Sequence, residues 1–206
     1  MFLFQETYYA TPGLQELVDT RVRSLHENHS LSPDFLATDW MKSTGDETTY
    51  LAFRLWTKSE ASYNPAQREW MAEYNRTRPA DIFTRPPDIE YFDQVRQSGR
   101  SGGAGFLVYA NLLIGGHSPA MTLEDELHTE LSRSDGFIEY RLYESLGRSN
   151  HFFRAEFWRS RADAVGFWRN EGRREYIGRV REQSGRGLPD HRHYEVLHQL
   201  GDASSQ

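Results

Sequence analysis

The sequence predicts an α+β fold: a βαββαβ unit of about a hundred residues, written twice in one chain. Three observations predict it. The chain repeats itself at a fixed offset: Phe35 recurs as Phe137, Trp56 as Trp158, Glu73-Tyr74 as Glu175-Tyr176 and Pro87-Asp88 as Pro189-Asp190, each 102 positions on. Leu25 and His26 recur as Leu127 and His128 on the same offset. A repeat this long is a duplicated domain and not a short solenoid unit. Each copy also reads as the same succession of strand and helix patterns. Finally, Gly99-Arg100-Ser101-Gly102-Gly103 has the composition of a linker and sits between the copies, which places the domains at 1–98 and 104–200.

The elements follow in order. Phe2 to Tyr9 reads as an opening strand, matched in the second copy by Phe106 to Ile114 with a displacement of two residues. After Pro12-Gly13, the residues Leu14, Leu17, Val18, Val22 and Leu25 recur at helical steps. The matching helix is expected over about Thr122 to Leu131, with Thr122 and Asp125 as its capping pair. Phe35 to Lys42 and Phe137 to Glu144 alternate as strands. Turns at Gly45-Asp46 and Gly147 to Asn150 lead into third strands, Tyr50 to Trp56 and Phe152 to Trp158. Helices are expected over Pro65 to Arg76 and Arg161 to Arg181, and closing strands over Ile89 to Val95 and His193 to Leu197, with His191 to His193 a loop. This order is the ferredoxin-like split βαβ pattern. One face of such a sheet carries the helices and the other is bare, so two copies gain by burying their bare faces together.

Composition narrows the function. With 30 acidic and 24 basic residues, the net charge argues against nucleic acid as the main partner, because phosphate binding needs a basic face. It has no cysteine, which removes disulfides, thiol nucleophiles and iron–sulfur ligation. Neither a signal peptide nor a stretch of transmembrane length is visible, so a cytoplasmic protein without membrane contact is expected. The 5 Trp, 11 Tyr and 12 Phe are enough rings to line a cavity for a flat ligand, although core packing uses rings equally well.

The segments Leu51 to Glu60 and Phe153 to Ser160, each a third strand ending in tryptophan and running into a polar turn and helix, resemble the antibiotic biosynthesis monooxygenase family of dimeric α+β barrels. The resemblance implies two ferredoxin-like repeats forming an intrachain dimeric α+β barrel. Its tandem form is similar to oxygenases that open or rearrange rings in angucycline-type pathways. It implies an oxygenase acting on an aromatic polyketide, either with no tightly bound cofactor or with reduced flavin (FMNH2 or FADH2) from a partner flavin reductase. Heme-degrading and non-catalytic members stand as alternatives. On the pattern of the anthrone oxygenases, the functional tryptophan corresponds to Trp56 and Trp158, and the helix arginine to Arg76 in the first copy but Gly178 in the second. Their asparagine is replaced by Ala52 and Arg154. Their tyrosine is replaced by Ser62 and Ala164, with Tyr63 adjacent to the first.

From the residues themselves, the first copy is the expected active one. Trp70 and Tyr74 stand four apart on one helix face and Trp56 ends the preceding strand, so the three rings are expected to converge as walls of a substrate site, with Tyr63 and Asn75 beside them. His26 and His29 at the end of the first helix are candidate bases, and Arg76 a candidate partner for a phenolate or peroxide anion. No metal is expected, because Leu131 replaces the second histidine in the other copy. Arg54 and Glu156 are equivalent by the repeat and lie on the strand face of their tryptophans, where opposite charges could pair near the pseudo-twofold axis. The basic run Arg169, Arg173, Arg174, Arg179 and Arg181 reads as a solvated helix face, or as a site for a flavin phosphate. Further association into a homo-oligomer is compatible with the sequence.

Overall fold

The computed structural model describes residues 1–59, 65–77, 79–99, 102–170, 172–184 and 190–201. The first repeat contains β1 (Phe2–Tyr9), α1 (Gln15–His29), β2 (Phe35–Ser43), β3 (Thr49–Trp56), α2 (Pro65–Thr77) and β4 (Asp88–Gly99). The second contains β5 (Phe106–Leu113), α3 (His117–Leu131), β6 (Phe137–Ser145), β7 (His151–Trp158), α4 (Arg161–Trp168), α5 (Gly172–Ser184) and β8 (Asp190–Gly201). This is the ferredoxin-like α+β pattern, twice. Hydrogen bonding links the strands in the order β1-β3-β2-β8-β5-β7-β6-β4.

Two compact units emerge, residues 1–91 with 196–206 and residues 92–195. The boundaries fall inside β4 and β8. In the second unit, Phe92 to Gly99 of β4 pairs with β6, and Asp190 to Glu195 of β8 pairs with β5. In the first unit, the far end of β8 meets β2, where Gln199 Nε2 donates to Asp39 Oδ1 at 2.7 Å. Each unit is thus one repeat plus part of the other's last strand. Both last strands end on a glycine at positive φ, Gly99 at 97° and Gly201 at 85°. A Cβ at either would stand 2.2 Å from a carbonyl oxygen, that of Ile138 or of Leu36, positions again 102 apart. Only glycine fits there.

The register repeats as well. Phe2 stands opposite Trp56 and Phe106 opposite Trp158, and a bulge follows both Phe35 and Phe137. In the first unit Val18 and Val22 of α1 pack on Tyr8, Trp40, Tyr50 and Ala52. In the second, Leu123, Leu127 and Leu131 of α3 pack on Val108, Ala110, Leu142 and Phe152. Each such aliphatic chain contributes about 1.5–3 kcal/mol by leaving water.

The expected elements differ from the structure in three places. Helix α3 starts at His117, five residues early, because Pro119 lies in the first turn, where no backbone N–H is needed. Thr122 therefore sits mid-helix and donates to Ser118 O instead of capping. The long second-copy helix is two helices, with Arg169 capping α4. Ala164 and Phe167 are buried from α4, Tyr176 and Val180 from α5. From Phe167 to Tyr176 is about two and a half turns, so one continuous helix would aim the two pairs at opposite sides. The break re-aims them. Lastly, His191 to His193 belong to β8 and are not a loop. Among the described residues no helix is long and apolar enough to cross a membrane.

Candidate functional site

In the first unit the helix-facing side of β3 carries Ala52, Arg54 and Trp56, all buried. Arg54 Nη2 donates to Tyr8 Oη at 2.7 Å and forms an ion pair with Glu6; Tyr8 Oη donates in turn to Glu6 Oε2 at 2.7 Å. Arg54 Nη1 lies 3.4 Å from His29 Nε2. A guanidinium can only donate, so Nε2 accepts and the neutral ring carries its proton on Nδ1. Burial pushes His29 down to about 4, so it is neutral near pH 7. Burial also lowers Arg54, to about 10, which leaves it charged. His29 Nδ1 and Arg54 Nε are buried without a hydrogen-bond partner.

Rings enclose this pair. His29 stands 5.3 Å from Trp56, 6.1 Å from Phe35 and 6.3 Å from Trp70, centre to centre, and Trp70 stacks on Tyr74 at 5.2 Å. Trp56 and Tyr74 are buried and Trp70 is half-buried. The structure therefore gathers Trp56, Trp70 and Tyr74 around His29. His26 belongs to a different cluster. Its Nε2 is 3.2 Å from Thr38 Oγ1, whose proton goes to Phe53 O at 2.8 Å, and its ring meets Trp40 and His198. Burial, then the nearby His29 and His198, pushes His26 down to about 3. Arg76 and Asn75 point outward. Arg76 is exposed and chelates Glu73 through Nε at 2.8 Å and Nη2 at 2.6 Å. The buried cation of this cluster is Arg54, two residues before the strand-end tryptophan, and not Arg76 on the helix. Tyr63 lies outside the described residues.

The second unit holds a larger buried polar network. Arg154 Nε donates to Glu156 Oε1 at 2.6 Å, and Nη1 donates to Glu124 Oε1 at 2.8 Å and to Tyr176 Oη at 2.5 Å. Tyr140 Oη donates to Glu124 Oε2 at 2.8 Å and Tyr176 Oη to Glu124 Oε1 at 2.6 Å. Glu156 Oε2 accepts from the indole N–H of Trp168 at 2.9 Å and of Trp158 at 3.3 Å. Burial raises Glu156 above the usual carboxylate range although Arg154 opposes it, and burial lifts Tyr140 and Tyr176 well above the ordinary phenol value. Arg54 and Glu156 thus find their partners within their own units, Glu6 and Arg154 respectively, because each has an opposite charge one or two strand positions away. On α5, Arg173 pairs with Glu130 and Arg179 with Glu126.

Sequence reasoning missed Glu6, Glu124 and Arg154 as members of these networks. Glu124 stands in the acidic helical run Glu124-Asp125-Glu126 and gave no signal, whereas for Arg154 one was present: charges inside an otherwise apolar strand run, Phe152-Phe153-Arg154-Ala155-Glu156-Phe157. A strand buried on both faces has no solvent side for them, so they must pair within the protein.

Residues 122–175 match the sequence model of the antibiotic biosynthesis monooxygenase family. The resemblance to that family is therefore shown. Solved structures agree on the fold. A protein from Fusobacterium nucleatum, provisionally named a monooxygenase, superposes with a TM-score of 0.78 at 10% identity over 100% of this chain and 98% of its own. An anthrone oxidase-like protein gives 0.67 at 14% identity over 98% and 93%. A heme-degrading enzyme from Listeria monocytogenes gives 0.59 at 12% identity over 96% and 100%. No curated protein matches by sequence.

Proposed function

We propose that the chain is an oxygenase of the antibiotic biosynthesis monooxygenase type, acting on an electron-rich polycyclic phenol or quinol such as an aromatic polyketide, with its working site in the first unit. One observation carries this reading: two buried donors, His29 Nδ1–H and Arg54 Nε–H, lack acceptors among the rings of Trp56, Trp70 and Phe35. Orphaned buried donors are uncommon and suit the oxygen of a bound ligand. A phenol oxygen placed there is stabilised as its anion, as in an oxyanion hole. His29 then acts as a donor first. Protonating a ring held near 4 costs about 4 kcal/mol at pH 7, so proton uptake requires the imidazolium to form beside the oxyanion.

The phenolate supplies the electrons. It passes one to dioxygen, the radical pair joins at ring carbon, and the hydroperoxide loses water to leave a carbonyl. Overall, a CH2 of the keto form and O2 become C=O and H2O. The protein binds, orients and stabilises the anion. Reduced flavin from a partner reductase is the alternative electron source.

Mixing the purified chain with a polycyclic quinol without oxygen should give the phenolate absorption band, and admitting air should start oxygen uptake. His29→Phe and Arg54→Met should lose the band, and Trp70→Ala the turnover. Absence of uptake across a quinol panel, with and without reduced flavin, overturns the reading. The likeness to a heme-degrading enzyme supports a second one: a Soret shift on heme titration that is lost in His29→Phe would replace the first.

A further inference from the structure

We propose that the second unit binds a small aliphatic carboxylate, an acid with a chain of about six to ten carbons, in a site separate from the His29 cluster. A cavity of about 300 Å³ opens in that unit. Phe106 and Val108 of β5 form one wall, Val165 and Trp168 of α4 a second, and Ile177 of α5 a third. Arg169, the exposed residue that caps α4 where the helix breaks, lines it too. That volume is at the lower end of small-molecule sites, about 300–1,000 Å³, and suits a short acyl chain.

Charge decides which head group the site takes. Among the described residues no carboxylate lines the cavity, and the one permanent charge on its wall is the Arg169 guanidinium. Neighbouring arginines are already engaged: Arg173 and Arg179 of α5 pair with Glu130 and Glu126, and Arg192 of β8 pairs with Asp190 at 2.7 Å. The Arg169 side chain has no such partner among the described residues, so its fork is open to a ligand carboxylate. His191 and His193 of β8 complete the lining. Beyond the partial burial that lowers both imidazoles, the charge acting on His193 is that of Arg161, and the strongest on His191 is that of Arg154. Both are cations. The field along this edge therefore favours an anion and opposes an amine, while the two histidines themselves are neutral near pH 7. The remaining walls favour a hydrocarbon. Val108, Val165 and Ile177 offer no hydrogen-bonding group, so a chain without polar atoms loses nothing against them. Trp168 is fixed in place, because its indole N–H donates to Glu156 Oε2 at 2.9 Å and Glu156 is fully buried. The first repeat has Gln67 at the position equivalent to Arg169, so the head-group cation belongs to the second repeat alone.

This inference does not rest on the chemistry proposed for the first unit. Its test is calorimetric titration of the full chain with hexanoate, octanoate, octanol and octylamine. Octanoate should bind about tenfold tighter than hexanoate, because each further buried methylene tightens binding about threefold to fourfold. Octylamine should bind about tenfold more weakly than octanoate, or less. Arg169→Gln should weaken octanoate by about threefold or more and leave octanol unchanged. Val165→Trp fills the cavity and should weaken octanoate and octanol alike. Circular dichroism checks that each variant folds, and Arg169→Gln, at an exposed position, keeps the test decisive should Val165→Trp fail to fold. The proposal is overturned if the wild type does not bind octanoate, if it binds octylamine as tightly, or if Arg169→Gln binds octanoate as the wild type does. It is also overturned if folded Val165→Trp keeps wild-type binding, which would place the acid elsewhere, as on the donors of the first unit.

Discussion

The two units bury the same kind of group in different places. At positions 52 and 54 the first has alanine and arginine; at the equivalent 154 and 156 the second has arginine and glutamate. Both arginines lie under the helices on the tryptophan's face of the third strand, displaced by two residues. Their partners moved with them. Arg54 is held by Glu6 and Tyr8 of β1, whereas the structurally matching Ala110 and Leu112 of β5 are apolar. Arg154 is held by Glu124 of α3 and Tyr176 of α5, while Val22 occupies the place of Glu124 in the first unit. A buried charge cannot relocate alone, because a site without its counter-charge costs several kcal/mol. Duplicated copies therefore diverge in whole networks.

That contrast can be broken experimentally, most severely at Arg154. Arg154→Ala strands Glu124 and Glu156, both fully buried, and should cost about 3–5 kcal/mol in urea unfolding. Arg54→Ala strands one carboxylate that keeps its bond from Tyr8, and should cost less. Equal losses would show that the two networks are energetically alike.

Acid should next weigh most on the first unit, which holds two lowered histidines, whereas among the described residues the second holds one comparable group, His191, at about 4. His26 and His29 are held near 3 and 4, below the 6.5 of the unfolded chain, so the unfolded state binds more protons as pH falls. Their neutral burial is harmless above about pH 6.5, and stability is lost as pH drops from there toward 4. At pH 5 the loss is about 2 kcal/mol for each. Hydrogen exchange at pH 5 should report faster opening in the first unit than at pH 7, and His26→Phe with His29→Phe should flatten the pH dependence.

Smaller effects sharpen the symmetry. Gly99→Ala and Gly201→Ala each place a Cβ at positive φ against a carbonyl, so each should lose at least about 1–2 kcal/mol, and by similar amounts. The smallest change is expected at Arg76. Its exposed pairing with Glu73 should be worth under about 1 kcal/mol, and Arg76→Ala should leave turnover intact. A lost turnover there would restore Arg76 to the site and displace Arg54.

Much of the fold was legible because a repeat doubles every local signal. Phe35 with Phe137 and Trp56 with Trp158 anchor the same strands in both copies, and strand ends came within a few residues. The site was legible only as a set of rings. Trp56, Trp70 and Tyr74 do come together, but helical spacing could not tell that His29 joins them while His26, three residues earlier, turns to Trp40 and His198. Arg76 sits at the expected spacing and faces water.

Alternation and repetition along the chain by themselves determined two βαββαβ copies, since strand and helix periods are local properties of neighbouring residues. Which last strand completes which unit, where one helix breaks into two, and which arginine meets which carboxylate were decided only in three dimensions. Those choices depend on pairs far apart in sequence, such as Arg54 with Glu6 and Arg154 with Glu124, whose charges find no water and must find each other.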